Sequence, residues 1–142
     1  MILSLRENFN NGGDLTVAKK KILIIEDDQA IIDSLVVLLK SIYELDTAMD
    51  GNTGLEKVKS FNPDLIILDL LMPQRDGFDV CQKLKADENY KKIPVIALSS
   101  FTEQFGMSFS SEETKGALPS DVYLAKPLDP PTLLREIKEH IG

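Results

Sequence analysis

Residues 21–28 read KILIIEDD, an apolar run with the length of a buried strand followed directly by three acids. Residues 65–69 read LIILD and repeat the pattern with one acid. Residues 95–99, VIALS, end in a hydroxyl, and residues 122–126, VYLAK, end in a lysine. The carboxyl ends of parallel strands meet at one edge of a sheet, where open α/β folds bind their ligands. The sequence therefore predicts one site of carboxylates, a hydroxyl and an ammonium group, which can hold a divalent cation and present a carboxylate for phosphorylation.

Helical patterns separate these apolar runs. Four segments carry apolar residues at helical spacing, at positions 29–41, 51–61, 78–84 and 131–141. Asp28 stands where the N-cap of the first of these helices belongs, and a further short strand is predicted at Tyr43–Ala48. Strands that alternate with helices form a parallel sheet covered on both faces, with right-handed crossovers. The predicted fold class is therefore α/β, a doubly wound five-stranded parallel sheet.

Two segments depart from this alternation. Residues 1–19 are turn-rich around 8–14 and are predicted to be a flexible N-terminal leader, so that residues 20–142 form the domain. Residues 101–120 contain three phenylalanines spaced four apart, but also Gly106 and several serines, which are poor helix formers. We expect a short or irregular helix within a long loop there.

Composition narrows the class of protein. The chain has 142 residues, the size of one domain, and its net charge of −7 argues against a nucleic-acid surface. It contains no apolar run long enough for a membrane span and no secretory signal at its start. Its one cysteine, Cys81, cannot form an intramolecular disulfide. These features predict a cytoplasmic protein that binds neither membrane nor nucleic acid directly.

A family resemblance rests on motifs at the ends of the predicted strands. They are Glu26-Asp27, the run DLLMPQRDG at residues 69–77, Ser99, and Lys126-Pro127. In this order the motifs resemble the receiver domain of two-component response regulators over residues 20–141. The resemblance implies a flavodoxin-like strand order of 2-1-3-4-5. The fourth helix would be irregular or shortened in this chain.

The resemblance also implies roles for the acidic residues. Asp69 matches the aspartate that accepts a phosphoryl group from a histidine kinase or histidine phosphotransferase. Asp27 matches a direct metal ligand, and Glu26 matches an acid that reaches the metal through water. The backbone carbonyl of Leu71 matches a further ligand. The implied cofactor is Mg²⁺ or Mn²⁺, which takes oxygen ligands and keeps several waters.

The remaining motif residues match the phosphoryl contacts and the switch. Lys126 matches the lysine that contacts the phosphoryl oxygens, and the resemblance implies a cis peptide bond between Lys126 and Pro127. Ser99 and Tyr123 match the pair that relays phosphorylation to a partner-binding face. Ser99 replaces the commoner threonine and keeps the hydroxyl.

Three other residues have plainer interpretations. Asp28 is expected to cap a helix rather than bind metal. Cys81 lies on an apolar helical stripe and is expected to be buried and inert. His140 stands near the end of the last helix, where it can interact with the helix dipole, and it is not interpreted as a phosphorelay histidine.

The expected function is a phosphorylation-dependent signalling switch, with at most slow self-catalysed phosphorylation and dephosphorylation. The first alternative is a pseudo-receiver that binds partners without phosphorylation. A phosphatase with an aspartyl nucleophile is a second alternative, but it would need an acid, serving as general acid, at the position of Leu71. A flavin-binding protein would want a phosphate-cradling loop after the first strand, where this chain has three acids.

The expected partners are a histidine kinase or histidine phosphotransferase and an output partner that the sequence does not identify. The resemblance also allows a homodimer. Because the chain ends soon after its last predicted helix, it is expected to be either a stand-alone receiver or part of a longer protein.

Overall fold

The computed structural model describes residues 7–9, 15–70, 72, 76–99 and 121–142. Within these ranges it contains seven strands and four helices. They are, in chain order, β1 (Glu7–Phe9), β2 (Leu15–Val17), β3 (Lys21–Ile25), α1 (Gln29–Leu39), β4 (Glu44–Ala48), α2 (Gly51–Phe61), β5 (Leu65–Asp69), α3 (Asp76–Ala86), β6 (Val95–Ser99), β7 (Val122–Ala125) and α4 (Pro130–Ile141).

Five of the strands form one parallel sheet in the order β4-β3-β5-β6-β7. Counted from β3, this is the order 2-1-3-4-5, so the predicted fold class is confirmed. The chain passes from β3 to β4 on one side and then to β5 on the other side of β3, so the strand order reverses at β3. Open sheets of this kind bind ligands beyond the carboxyl ends of the strands at such a reversal.

The sheet separates two apolar cores because alternate side chains of a strand point to opposite faces. One core joins Leu23, Ile66 and Leu68 to residues of α2 and α3. The other core joins the intervening strand residues, such as Ile24 and Ile67, to α1 and α4. The three central strands are therefore apolar along almost their whole length, as strands buried on both faces must be.

Carboxylates cap three of the helices at their first turns. The Ala30 amide donates to Asp28 Oδ1 over 2.9 Å, which confirms the predicted cap of α1. Asp50 caps α2 and Asp129 caps α4 in the same way. The Asp28 side chain therefore serves as the N-cap of α1.

Two short strands lie in the N-terminal segment that the sequence did not predict. Strands β1 and β2 pair as an antiparallel hairpin, with Glu7 opposite Val17 and Phe9 opposite Leu15. Three-residue strands are too short to show a clear hydrophobic period. The Asn-Gly-Gly sequence between them is both a turn signal and a hairpin signal. The division of the chain at residue 19 stays a prediction.

Several predicted boundaries also move by one or two residues. Helix α1 ends at Leu39, β4 begins at Glu44 and α4 begins at Pro130. Leu71 and the predicted irregular helix at residues 101–120 lie outside the described residues. None of the helices in the described ranges has the length and hydropathy that crossing a membrane requires.

Candidate functional site

Four residues with polar side chains stand at the carboxyl ends of the strands. Glu26 follows β3, Asp69 ends β5, Ser99 ends β6 and Lys126 follows β7. Three of them are buried: Glu26 is 1% exposed, Asp69 3% and Ser99 0%. Among the residues that the structure describes, Glu26, Asp69 and Ser99 are the buried polar or charged ones.

Three carboxylates form a cluster within this site. Oxygen atoms of Glu26, Asp27 and Asp69 lie within 4.8 Å of one another. Asp27 is the most exposed of the three, and its position beside two buried acids opens the cluster to solvent. The donor set consists of oxygens alone, which suits a hard divalent cation that retains water.

Lys126 supplies the positive charge beside the cluster. Its Nζ atom lies 3.0 Å from Glu26 Oε1 and 3.4 Å from Asp69 Oδ1. Its backbone N–H donates to the Ser99 carbonyl over 3.0 Å, which joins the end of β7 to the end of β6. The Lys126–Pro127 peptide bond is cis, as predicted.

The pKa of the Glu26 carboxyl is raised from 4.5 to about 7, and burial is the largest cause. The hydrogen bond and charge interaction with Asp69 contribute to this rise, whereas the hydrogen bond and charge of Lys126 oppose it. A proton on Glu26 therefore relieves part of the repulsion between the two buried carboxyl groups when no metal is bound.

The metal-free protein should lose stability as pH rises from about 4.5 to about 7 because of this shift. The folded state holds the Glu26 proton more tightly than the unfolded state, so this stabilisation is complete below about pH 4.5 and disappears above about pH 7. Urea unfolding in a chelator should show that Glu26→Gln loses less stability than wild type across this range. Identical pH dependence in the two proteins would contradict the assignment.

Helix α3 begins directly against the backbone of Asp69. A Cβ atom on Gly77 would lie 2.1 Å from the Asp69 carbonyl oxygen and 2.6 Å from the Leu70 Cα. The helical pattern in the sequence begins at residue 78, whereas α3 begins at Asp76 and includes Gly77. Gly77 thus sets how closely α3 approaches the candidate phosphoacceptor, a role that only the packing reveals.

Ser99 and Tyr123 lie on adjacent strands. Strands β6 and β7 pair Ala97 with Tyr123 and Ser99 with Ala125. Side chains two positions apart share a face, and Tyr123 packs against the core that contains Ala97, α2 and α3. Tyr123 therefore lies on the same face as Ser99, one strand away.

The strand order, the carboxylate cluster and the lysine at the carboxyl edge agree with the receiver family that the sequence motifs resemble. The family model described as the response regulator receiver domain matches residues 22–138. The chain belongs to this family, and it is therefore a receiver domain of the kind found in two-component response regulators.

Curated relatives agree with this family. The chain is 35% identical over 123 residues to protein PilG of Pseudomonas aeruginosa, a match that covers 85% of this chain and 87% of PilG. It is 39% identical over 121 residues to the DNA-binding dual master transcriptional regulator RpaA of a Synechocystis species. That match covers 83% of this chain but only 47% of RpaA, so the chain spans about half the length of such regulators.

Solved structures share the fold. The chemotaxis response regulator CheY4 of Vibrio cholerae superposes with a TM-score of 0.74 at 28% identity, covering 87% of this chain and 100% of CheY4. The receiver domain of the sensor histidine kinase PA1611 of Pseudomonas aeruginosa has a TM-score of 0.75 at 27% identity, covering 88% of this chain and 99% of that domain. The PA1611 structure holds a magnesium ion coordinated in its active site cleft.

Proposed function

We propose that the chain is a phosphorylation-dependent signalling switch in which Asp69 accepts a phosphoryl group from a histidine kinase or histidine phosphotransferase. The observation that carries the proposal is the contact of Lys126 Nζ with Glu26 and Asp69, 3.0 and 3.4 Å away, at the edge of a carboxylate cluster. An ammonium group in this place can neutralise charge on a phosphoryl group attached to Asp69, and such neutralisation is most of what phosphoryl transfer requires.

The reaction would attach phosphorus to a carboxylate oxygen of Asp69. A P–O bond forms at this oxygen as the P–N bond of a phosphohistidine breaks, and the histidine nitrogen keeps the electron pair. Lys126 would hold the phosphoryl oxygens, and the Ser99 hydroxyl would donate a hydrogen bond to one of them. The ends of β5, β6 and β7 would hold these groups in position before the donor arrives.

A divalent cation, Mg²⁺ or Mn²⁺, is the proposed cofactor. Asp27 and Asp69 would bind it directly, Glu26 would assist through water, and the Leu71 carbonyl would be a further ligand. When bound, the ion would neutralise phosphoryl charge and hold the phosphoryl group near Asp69. The magnesium ion in the PA1611 receiver domain and the all-oxygen cluster of this chain support the proposal.

Incubation with acetyl phosphate and Mg²⁺, followed by intact-mass measurement, tests the function. We expect one added phosphoryl group, and we expect none when a chelator is present. A chain that takes up no phosphate from acetyl phosphate or from a phosphorylated histidine donor would instead be a pseudo-receiver, the alternative function.

Asp27→Ala should weaken Mg²⁺ binding by about tenfold or more, whereas Asp28→Ala should leave it nearly unchanged. The two residues are neighbours of equal charge, but Asp27 belongs to the carboxylate cluster and Asp28 caps α1. Calorimetric Mg²⁺ titration of both variants provides the comparison. The Asp28 variant should instead lose about 1 kcal/mol of stability as the cap is removed. Equal losses of Mg²⁺ affinity would refute the distinction.

The switch is proposed to act through Ser99 and Tyr123. Movement of the Ser99 hydroxyl towards a phosphoryl oxygen would free space on the face that Tyr123 shares with it. The phosphoryl group can shift the equilibrium only as far as it binds the two states differently. The partner would then recognise the changed surface around β7.

Ser99→Ala should still accept phosphate but should respond less to it. Amide chemical shifts before and after phosphorylation are the measurement. In wild type the changes should extend to Tyr123 and its neighbours on β7, and in the variant they should stay near Asp69. Changes of equal reach in both proteins would rule out the relay.

The proposed module transmits a signal and does not turn over a substrate. Leu71 stands where an aspartyl phosphatase would carry its general acid, and this supports the choice. A histidine kinase or phosphotransferase and an output protein are the proposed partners, and homodimerisation is a further arrangement that the family resemblance allows. The cytoplasmic location stays a prediction.

A further inference from the structure

Lys85 and Asp121 form an ion pair at the edge of the sheet opposite the carboxylate cluster. Lys85 lies in the last turn of α3, and Asp121 directly precedes β7. The Lys85 Nζ lies 2.7 Å from Asp121 Oδ2, 2.9 Å from the Ile93 carbonyl oxygen and 3.2 Å from that of Lys91. An ammonium group has three N–H donors, so these three acceptors satisfy it completely. The Lys85 side chain is only 18% exposed.

The same carboxylate also holds the first residue of β6. The Val95 N–H donates to Asp121 Oδ2 over 2.8 Å, and the Asp121 N–H donates to the Val95 carbonyl over 3.2 Å. One side chain thus joins α3, β6 and β7. At the other end of the two strands, Lys126 N–H donates to the Ser99 carbonyl.

We call the Lys85–Asp121 pair, with the Asp121 bonds to Val95, the clamp. Strand β7 depends on it because burial specifies the register of this strand less strongly than that of β5 and β6. It is the last strand of the described sheet, and its residues are half-buried or exposed, whereas every residue of β5 and β6 is buried. Burial specifies the register of a strand most strongly where one face is fully buried, and the residues of β7 pack against the two cores only partly buried. A slip of one residue would move β7 by roughly 3.3 Å. Such a slip would carry Lys126 away from Glu26 and Asp69.

We propose that Lys85 and Asp121 are positioning residues that fix the register of β7 and thereby hold Lys126 beside Asp69. The proposal rests on the proposed role of Lys126 in phosphoryl transfer. It predicts that a charge pair at one edge of the sheet controls a reaction at the other edge.

Hydrogen exchange tests the clamp without reference to phosphorylation. Lys85→Met keeps most of the side chain but removes the charge and the donors. The amides of β7 should exchange about tenfold faster relative to those of β5. Lys57→Met is the matched control. It removes a partly buried lysine that bonds Asp46 Oδ1 and the Thr47 carbonyl at the opposite edge strand, β4, and should leave the β7-to-β5 ratio unchanged. Equal effects of the two variants would overturn the clamp.

Labelling by acetyl phosphate and Mg²⁺ then tests the link to Lys126. Lys85→Met should slow labelling about tenfold, and Lys85→Arg should restore it. In a Lys126→Met background, Lys85→Met should cause no further slowing. Additive slowing in the double variant would overturn the positioning role. If Lys126→Met alone labels at the wild-type rate, the proposed role of Lys126 fails, and the exchange measurement still decides whether the clamp exists.

Asp121→Asn provides a second variant in case Lys85→Met does not fold. It keeps an oxygen that can accept from the Val95 N–H but removes the charge that holds Lys85. In this variant the β7 amides should also exchange faster and labelling should also be slower, but both changes should be smaller than in Lys85→Met. Wild-type values for both quantities in a folded Asp121→Asn protein would contradict the proposal.

Discussion

Asp69→Asn is expected to abolish the uptake of phosphate from acetyl phosphate or a phosphohistidine donor while the fold stays intact. An amide at this position lacks the carboxylate oxygen that must bond to phosphorus. Intact-mass measurement should show no phosphoryl group under conditions in which the wild-type chain carries one. The metal-free variant should be at least as stable as wild type near neutral pH. The substitution removes the Asp69 carboxylate. In wild type, the hydrogen bond and the charge of this carboxylate raise the pKa of the buried Glu26 carboxyl.

Asp64→Asn is the control for this substitution. Asp64 stands just before the same strand, β5, at the far edge of the sheet, where its Oδ2 atom accepts from the Lys21 N–H over 2.8 Å. An asparagine oxygen can accept the same bond, so labelling should be unchanged. Phosphate uptake at the wild-type level by Asp69→Asn would show that the phosphoacceptor is another residue.

Gly77→Ala is expected to lower the free energy of unfolding by about 3 kcal/mol and to slow labelling of Asp69. The added Cβ would lie 2.1 Å from the Asp69 carbonyl oxygen and 2.9 Å from its carbonyl carbon. These are backbone atoms of a buried strand, so either α3 or the end of β5 must move. The clash outweighs the gain of about 1 kcal/mol that alanine brings to a helix. Urea unfolding and the acetyl phosphate assay measure the two effects.

Gly54→Ala is the matched comparison, because Gly54 is also a buried helical glycine beside a central strand. Its added Cβ would lie 2.6 Å from Ile25 Cδ1, the end of a side chain that can rotate. The loss should be about 1 kcal/mol or less, and Asp69 should label normally. If both variants lose the same stability and label alike, the contact of α3 with the Asp69 backbone does not constrain the site.

The central part of the fold could be predicted from sequence because the patterns that produce it lie within short segments of the chain. Strands β3, β5 and β6 are buried on both faces, and burial of this kind requires continuous apolar runs that stand out in the sequence. The acids, the hydroxyl and the lysine were placed by the same reasoning, since each follows such a run and parallel strands end at one edge. The cap at Asp28 was also a local feature and was confirmed.

The weakly patterned parts were predicted less well. The hairpin of β1 and β2 was missed, because strands of three residues carry too little periodicity to separate pairing from a turn. The helical pattern in the sequence begins only at residue 78, and the motif alone does not reveal how closely Gly77 brings α3 to β5. Leu71 and residues 101–120 stay predictions from the sequence.

The sequence by itself determined the sheet, its helices and the identity of the groups at its carboxyl edge, because hydrophobic periodicity and strand ends are properties of short segments. Only the tertiary structure decided the pairing of Lys126 with Glu26, one hundred positions apart. It also decided the raised pKa of Glu26 and the joining of α3, β6 and β7 by Lys85 and Asp121. These features depend on distances and on the exclusion of water between segments that are remote in the chain, and no local pattern encodes them.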